Sequence, residues 1–201
     1  MKISPAISLI IVLILVMAAV GIIFIKTYNG LISNEKTVEE AKAQIEAVCQ
    51  RRLDLIPNLV ETVKGYAAHE RETLVAVAGA RSSAQRVLED IGNKKSLGKE
   101  DMAALAVTQS ALTNSLKSIF ALVEKYPDLK AATHFASLQD QLEGTENRIS
   151  VARQRYNAVV RYYNTKISTF PGNIIVPMFG FEEKEYFEAK EEAMEPVSVK
   201  F

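Results

Sequence analysis

A run of twenty uncharged residues near the start of the chain constrains its fold more than any other feature. Residues 6–25 read AISLIIVLILVMAAVGIIFI, and a lysine stands on either side of them, at Lys2 and Lys26. A helix rises about 1.5 Å per residue, so this run is long enough to cross the roughly 30 Å hydrocarbon core of a bilayer. We therefore expect residues 1–26 to form a short stub and a transmembrane anchor, with residues 6–25 in contact with the lipid bilayer.

A cleaved signal peptide is the alternative interpretation of this run. The apolar part of a signal peptide is about 7–15 residues long and ends at small residues before a polar mature start. Here Ala18 and Ala19 are followed by Val20, Gly21, Ile22, Ile23 and Phe24, so the apolar run continues past any suitable cleavage site. The anchor is therefore favoured.

The orientation of the anchor is predicted from the lysines on its two sides. Lys2 precedes the run, whereas Lys26, Lys36 and Lys42 follow it among several glutamates. Because cytoplasmic flanks carry the excess of positive charge, the sequence slightly favours a cytoplasmic C-terminal domain.

Composition indicates one helical domain behind the anchor. The chain has 201 residues, of which only 9 are glycine and 6 are proline, and it has no tryptophan. Its 24 basic and 24 acidic residues balance, so no long-range field favours nucleic acid, and we expect no nucleic-acid partner. The lone Cys49 cannot form an internal disulfide, so the packed core must hold the fold together.

Hydrophobic periodicity predicts the arrangement of the soluble part. Apolar residues recur at alternating steps of three and four, which is the spacing of a seam that packs on another helix. The sequence therefore predicts an all-α fold, an N-terminal transmembrane helix followed by an antiparallel bundle of about four long helices. The predicted seams contain Ile32, Val38, Ala41, Ile45 and Val48; Leu59, Val63, Tyr66, Leu74, Val77, Ala84 and Leu88; Met102, Leu105, Gln109, Leu112, Leu116, Ile119, Val123 and Tyr126; and Phe135, Leu138, Leu142, Thr145, Ile149, Ala152, Tyr156, Val159, Tyr163, Ile167 and Phe170.

Prolines and glycines predict where these helices end. Pro57 lacks the amide proton that a helix interior uses, so we expect a kink or a restart near it. Residues 91–98 have the composition of a loop, and Tyr126-Pro127 and Phe170-Pro171 are expected to end the helices before them. An irregular segment follows, which is too apolar to stay in water and is expected to dock on the bundle or on a second copy. We thus predict a bundle with a docked C-terminal segment over residues 27–187 and a disordered acidic tail over residues 188–201.

Two long blocks give the chain a family resemblance. Residues 51–70 read RRLDLIPNLVETVKGYAAHE, and residues 126–181 read YPDLKAATHFASLQDQLEGTENRISVARQRYNAVVRYYNTKISTFPGNIIVPMFGF. Together with Tyr28-Asn29 behind the anchor, they resemble the LemA family. The resemblance implies a bacterial protein anchored in the inner membrane, with a short N-terminal stub and an antiparallel helical domain. It implies no general biochemical activity.

The sequence offers little that could form a catalytic or metal centre. His69-Glu70 would need a second histidine at position 73 for a helical zinc site, and Thr73 stands there. The other histidine, His134, lies in a different predicted helix. Cys49 has neither a neighbouring histidine nor a resolving cysteine, so it is expected to be a small core residue. We therefore predict no enzyme activity, no catalytic residue, no cofactor and no metal site.

Charged and polar side chains inside the two blocks are the candidate interaction residues. In one interpretation they form intramolecular ion pairs that set the register of the helices, and in the other they form a binding face for a partner or a second copy. The residues are Arg51, Arg52, Asp54, Asn58, Glu61, His69, Glu70, Glu146, Asn147, Arg148 and Arg153.

Tyrosines and arginines also alternate near the end of the last long helix. Tyr156, Tyr162 and Tyr163 with Arg155 and Arg161 have the mixture of aromatic and basic residues that single-stranded nucleic acid sites use. Two of the three tyrosines fall on the apolar seam, however, so core or interface is the favoured interpretation.

These observations support two hypotheses of function. The first is a non-enzymatic, membrane-anchored scaffold or adaptor, which forms a homo-oligomer or binds an unidentified membrane-associated protein. The second is a sensory module that holds a small ligand between its helices. The mostly aliphatic seams argue against the second, because a ligand site needs convergent polar groups.

Overall fold

The computed structural model describes residues 5–187, and all of their regular structure is helical. The predicted disordered tail, residues 188–201, lies outside the described residues. The helices are α1 Pro5–Tyr66, α2 Arg71–Gly92, α3 Lys99–Val123, α4 Pro127–Lys130, α5 Thr133–Ser168 and α6 Gly172–Phe179. The prediction of an all-α fold with four long helices is therefore confirmed.

The described residues fall into two compact units, to each of which α1 and α5 contribute. The N-terminal unit consists of residues 5–38 and 159–184, and the central unit consists of residues 39–158 and 185–187. Among residues 7–187, α1 is the one helix that is long and apolar enough to cross a membrane, and its apolar part lies at its start. No side chain in its most apolar window is buried by protein, which suits contact with lipid.

In the central unit, neighbouring helices run antiparallel. Lys42 in α1 donates to the carbonyl oxygen of Lys94, just after α2, whereas Arg81 in α2 bonds to Leu53 further along α1. The rings of Phe120 in α3 and Phe135 in α5 lie 6.2 Å apart between centroids. Short connections over residues 67–70 and 93–98 make this antiparallel packing possible.

The expected restart of the helix at Pro57 is wrong, because α1 continues through the proline to Tyr66. Pro57 has no N–H to donate to the carbonyl oxygen of Leu53, four residues earlier. The structure supplies another donor, since Arg81 Nε lies 3.0 Å from that oxygen. The side chain of Leu53 is fully buried, so its carbonyl would otherwise lack a partner.

The other predicted breaks agree with the helix ends. α2 ends at Gly92 and α3 begins at Lys99. The carboxylate of Asp101 accepts a hydrogen bond from the backbone N–H of Gly98 at 3.0 Å, which satisfies one of the free amides at the start of α3. α5 ends at Ser168, before Pro171. The segment that was expected to be irregular contains α6, so that detail of the prediction is wrong.

The seam of α3 is predicted most accurately. All of its expected core residues from Met102 to Val123 are buried, including the polar Gln109. The remaining predicted positions need six corrections, two of which are that Tyr126 and Leu138 are only half-buried. The buried residue near the start of α1 is Leu31 and not Ile32, which is 36% exposed, and in α5 it is Val160 in place of Val159. Tyr66 and Phe170 are exposed.

In the N-terminal unit, α6 packs very tightly on the end of α5. Gly172 allows this contact, because a Cβ atom at this position would lie 2.1 Å from the carbonyl oxygen of Lys166. Ile175, on the same face of α6, is also buried. α6 then ends at Gly180, whose φ of 71° favours glycine.

Residues 181–187 follow α6 as an extended segment. Within the N-terminal unit, the side-chain amide of Asn164 binds both the backbone N–H and the carbonyl oxygen of Lys184, at 3.0 and 2.9 Å. The ammonium group of Lys184 in turn lies 2.9 Å from the carboxylate of Glu35 in α1. Within the central unit, Asn157 binds the N–H and carbonyl oxygen of Phe187 in the same way, both at 2.9 Å.

Candidate interaction site around Arg52

Arg52 is the charged side chain at the centre of the candidate site. It occupies a core position of α1 and is only 3% exposed. Its Nη1 donates to Glu146 Oε2 at 2.7 Å and to Gln109 Oε1 at 3.3 Å, and its Nη2 donates to Thr113 Oγ1 at 3.0 Å. Burial lowers the pKa of Arg52 and Glu146 raises it, and a guanidinium stays protonated under such conditions. Arg52 therefore connects α1 to both α3 and α5.

Glu146 gives this buried cluster an outlet to the surface. Its side chain is 53% exposed even though one carboxylate oxygen is bonded to Arg52. Asn147 and Arg148, which follow it in α5, are exposed as well. The ion pair thus fixes the position of a carboxylate that a partner could still reach.

Arg153 lies about two turns beyond Glu146 in α5, near Cys49 and the end of the extended segment. Its guanidinium carbon is 5.1 Å from the ring centroid of Phe187, and its Nε and Nη2 have no hydrogen-bond partner among the described residues. Burial lowers the pKa of Arg153. Burial also raises the pKa of the Cys49 thiol to about 11, although Arg153 and Arg52 lower it. Cys49 is therefore a protonated core residue, which does not suit a nucleophile.

Four of the predicted residues form a row along the outer face of α1. Arg51, Asp54, Asn58 and Glu61 follow each other at steps of three, four and three, and all four are exposed. Such spacing keeps side chains on one face of a helix. We call this row the interaction stripe. The contacts of its side chains are local, from Gln50 to Asp54 at 2.7 Å and from Lys64 to Glu61 at 3.6 Å.

The remaining predicted residues, His69 and Glu70, lie at the turn between α1 and α2. His69 is exposed, and Glu70 accepts a hydrogen bond from the hydroxyl of Tyr126 at 3.2 Å. Within residues 5–187, no three His, Cys, Asp or Glu side chains come together in a group that could hold a metal ion. The Tyr126 hydroxyl therefore joins this turn to the residues after α3.

The chain is similar in sequence to known proteins. The sequence pattern of the LemA family matches residues 41–201. The chain belongs to the LemA family. The resemblance drawn from the two sequence blocks is therefore confirmed.

Three relatives show how far the similarity extends. Magnetosome protein MamQ 2 of Paramagnetospirillum magneticum is 26% identical over a 208-residue alignment that covers 96% of this chain and 76% of the relative. Magnetosome protein MamQ of Magnetospirillum gryphiswaldense is 27% identical over 184 residues, which is 85% of this chain and 68% of the relative. Protein LemA of Metamycoplasma hominis is 24% identical over 169 residues, covering 84% and 72%.

Sequence reasoning missed several polar residues of this LemA-family chain. The contacts of Arg81, Thr113, Asn157 and Asn164 join residues far apart in the sequence, and no local pattern reveals them. Gln109 did carry a signal, because it is the one polar residue in an otherwise apolar seam and therefore required a buried partner.

The tyrosines of α5 divide as the seam predicted. Tyr156 and Tyr163 are buried, and burial raises the pKa of each hydroxyl to about 12. Tyr162 is exposed, and its ring lies under the ammonium group of Lys166 at 5.3 Å. Two rings of this LemA-family helix therefore belong to the core and are not a platform for stacking bases.

Proposed function

We propose that this chain is a non-enzymatic, membrane-anchored helical scaffold that binds a second copy or a membrane-associated partner protein through the interaction stripe. The observation that carries the proposal is the division of residues 51–63 of α1. Arg52 and its apolar neighbours are buried, whereas the interaction stripe beside them is exposed, and within residues 5–187 its side chains contact only residues near in the sequence. Polar groups held on a rigid helix lose little conformational freedom on binding, which favours recognition.

The anchoring part of the proposal is supported by the start of α1. Residues 6–25 carry no charge, and the helix continues without a break into the soluble part. A side chain anywhere on residues 7–20 has no protein neighbour that removes it from solvent, so lipid is its suitable environment. We further propose a single-pass location in the bacterial inner membrane with a cytoplasmic C-terminal domain, following the lysines behind the run.

The non-enzymatic part is supported by the chemistry of the described residues. The buried Cys49 is protonated, and the two Nη atoms of the buried Arg52 are bonded to Glu146, Gln109 and Thr113. The names of the relatives state no reaction. A scaffold needs only the surfaces that the structure offers.

Site-specific photo-crosslinking in intact membranes tests this proposal. A photoreactive amino acid at Asp54 or Asn58 is expected to give a discrete crosslinked product, which mass spectrometry identifies as a second copy or another protein. Val75 in α2 and Val107 in α3 are the matched control positions, because both are exposed and lie on other helices. Adding Glu61→Arg should remove the product, since it reverses a charge of the interaction stripe.

The outcome that contradicts the proposal is equally clear. If Asp54 and Asn58 give no product beyond that of Val75 and Val107, the interaction stripe is a solvated surface and does not bind a protein. Circular dichroism of Glu61→Arg should match the unsubstituted protein, which separates lost binding from lost folding.

Small-ligand binding is the second candidate function, because the N-terminal unit contains a cavity of about 360 Å³ between α1 and the end of α5. This volume lies at the lower end of the range for ligand sites. Lys26, Asn34 and Lys166 are among its lining residues, and they would favour an anionic ligand. A ligand that raises the melting temperature of the full chain, with no such rise in Lys166→Gln, would support this function over the scaffold.

A further inference from the structure

α6 and the turn before it present an apolar surface that protein does not cover. From Ile167 to Phe181 the chain carries no charge. Ile174 and Met178, four residues apart in α6, and Phe170 in the turn before it are exposed, Phe170 by 78% and Met178 by 65%. Monomeric soluble proteins rarely leave such a patch in water.

The position of this surface beside α1 indicates what covers it. The ring of Phe179 lies 6.0 Å from that of Phe24 and 4.6 Å from that of Tyr28, measured between centroids. Phe24 belongs to the apolar run, two residues before Lys26. Since a helix rises about 1.5 Å per residue, Phe179 lies at the depth where the hydrocarbon of a bilayer gives way to headgroups.

Residues on both sides of this boundary have the character of a membrane interface. Tyr28 also contacts Phe181, with ring centroids 6.0 Å apart, so three aromatic rings surround the end of the run. Aromatic side chains concentrate at this level in membrane proteins. Lys26 and Lys166 line the adjoining cavity and place two positive charges where lipid phosphates would lie.

We propose that α6 is a second membrane contact, an interfacial helix that lays Phe170, Ile174 and Met178 into the headgroup and acyl boundary of the same bilayer that α1 crosses. This inference rests on the proposed anchoring of α1. Gly172 and Ile175 hold an adjacent face of α6 against the protein, so the exposed face has a fixed direction. Interfacial helices bind in this way, with one apolar face in the boundary and the other side held out of it.

A lipid explains the patch better than a second copy does. The apolar surface of α6 begins where the apolar run ends. The lipid that surrounds residues 6–25 can therefore also cover α6, and no second protein is needed. The uncharged stretch is bounded by Lys166 and Glu182, as expected if both ends of the segment return to water.

Fluorescence quenching of the full chain in vesicles of phosphatidylethanolamine and phosphatidylglycerol tests the inference. An environment-sensitive dye is attached to Ile174→Cys or to Met178→Cys. Cys49 stays in place because its side chain is fully buried, and the unsubstituted protein gives the background. We expect loss of fluorescence with lipid-attached quenchers and little loss with iodide in the water.

Two reference positions make every outcome decisive. A dye at Val75→Cys, exposed on α2, should be quenched by iodide and little by the lipid-attached quenchers. A dye at Leu15→Cys in the apolar run should be quenched by the lipid-attached quenchers alone. If the dye at position 15 is quenched by the lipid-attached quenchers but the dyes at positions 174 and 178 by iodide, the interfacial helix is refuted and the anchor stands. If Leu15 is quenched by iodide, the proposed anchoring has failed.

A second copy would give a different result from lipid. Labels at 174 and 178 that neither quencher reaches would be buried between proteins, and this result would overturn the proposal. Circular dichroism of each labelled variant confirms that the helices are retained.

Discussion

Replacing Arg81 by methionine should show how α1 tolerates a proline in its interior. Arg81 Nε donates to the carbonyl oxygen of Leu53 at 3.0 Å, and Pro57 is the residue whose missing N–H leaves that oxygen without its helical partner. Methionine keeps most of the apolar stem of arginine and a similar helix propensity, but it has no donor. The substitution therefore isolates the hydrogen bond.

The structure gives the size of the expected effect. The Leu53 side chain is fully buried, so its carbonyl oxygen has no easy access to water once Arg81 is removed. A buried group left without its charged partner costs about 2 kcal/mol. For a protein of this size, this corresponds to a fall of about 4–8 °C in melting temperature. Thermal circular dichroism of the full chain in mild detergent measures it.

A double-mutant cycle with Pro57→Ala decides the cause. Alanine restores the N–H that can donate to the Leu53 carbonyl, so Arg81→Met should then cost less than about 0.5 kcal/mol. Arg86→Met on α2 is the matched control, because Arg86 is exposed and its hydrogen bonds to other described residues go to Ser82 and Ser83 of the same helix. If Arg81→Met costs the same with alanine at position 57 as with proline, our account of the continuous helix is wrong.

Three further predictions concern the buried polar groups. Arg52→Ala should lower the free energy of unfolding by about 3 kcal/mol in denaturant titration, because it empties a core position, breaks the ion pair with Glu146 and leaves the buried Gln109 Oε1 without its donor. Asn164→Ala should speed hydrogen exchange at the amide of Lys184 while the amides of α5 stay protected, and unchanged exchange at Lys184 would refute the role of this amide. Burial raises the pKa of Cys49 from 9.0 to about 11, so the thiol of the unfolded chain ionises first as the pH rises. The free energy of unfolding should therefore fall between pH 9.0 and about 11, by at most about 1.4 kcal/mol per pH unit. Cys49→Ala should make that part of the stability curve flatter.

The seams could be predicted because burial in a helical bundle follows a short repeat. Where the repeat is unbroken, as in α3, the predicted residues are buried. The errors arise where a step of three or four was ambiguous. Leu31 lies seven residues before Val38 and continues its heptad, whereas Ile32 does not, and in α5 the choice between Val159 and Val160 depends on drift between 3.5 and 3.6 residues per turn.

Residues at helix ends could not be placed from the repeat. Phe170 was extrapolated from the seam of α5, but the helix ends at Ser168, so the periodicity no longer determines its direction. The restart expected at Pro57 was wrong for a different reason. The cost of the proline is offset by Arg81, which is 24 residues away in the sequence and adjacent only after α2 has folded back on α1.

The candidate site shows the same division between local and distant information. The sequence pointed to Arg52 and Glu146 as members of one charged set, and the structure joins them in an ion pair. It could not show that Arg52 is buried while Arg51 is exposed, since neighbouring charges look alike until the seam of the helix is assigned. Gln109 and Thr113 complete the cluster from α3, which the recognised blocks do not include.

One turn of α1 therefore carries two different requirements. Successive residues of a helix point about 100° apart, so Arg51 faces water while Arg52 faces the core. Substitutions in the interaction stripe should change the free energy of unfolding by less than about 0.5 kcal/mol, whereas Arg52→Ala should lower it by about 3 kcal/mol. If a change at Asp54 lowered stability as much as one at Arg52, the exposed residues would be structural and a scaffold would have to bind elsewhere. Because core and surface effects are separable on the same helix, loss of partner capture without loss of stability is the result that the scaffold requires.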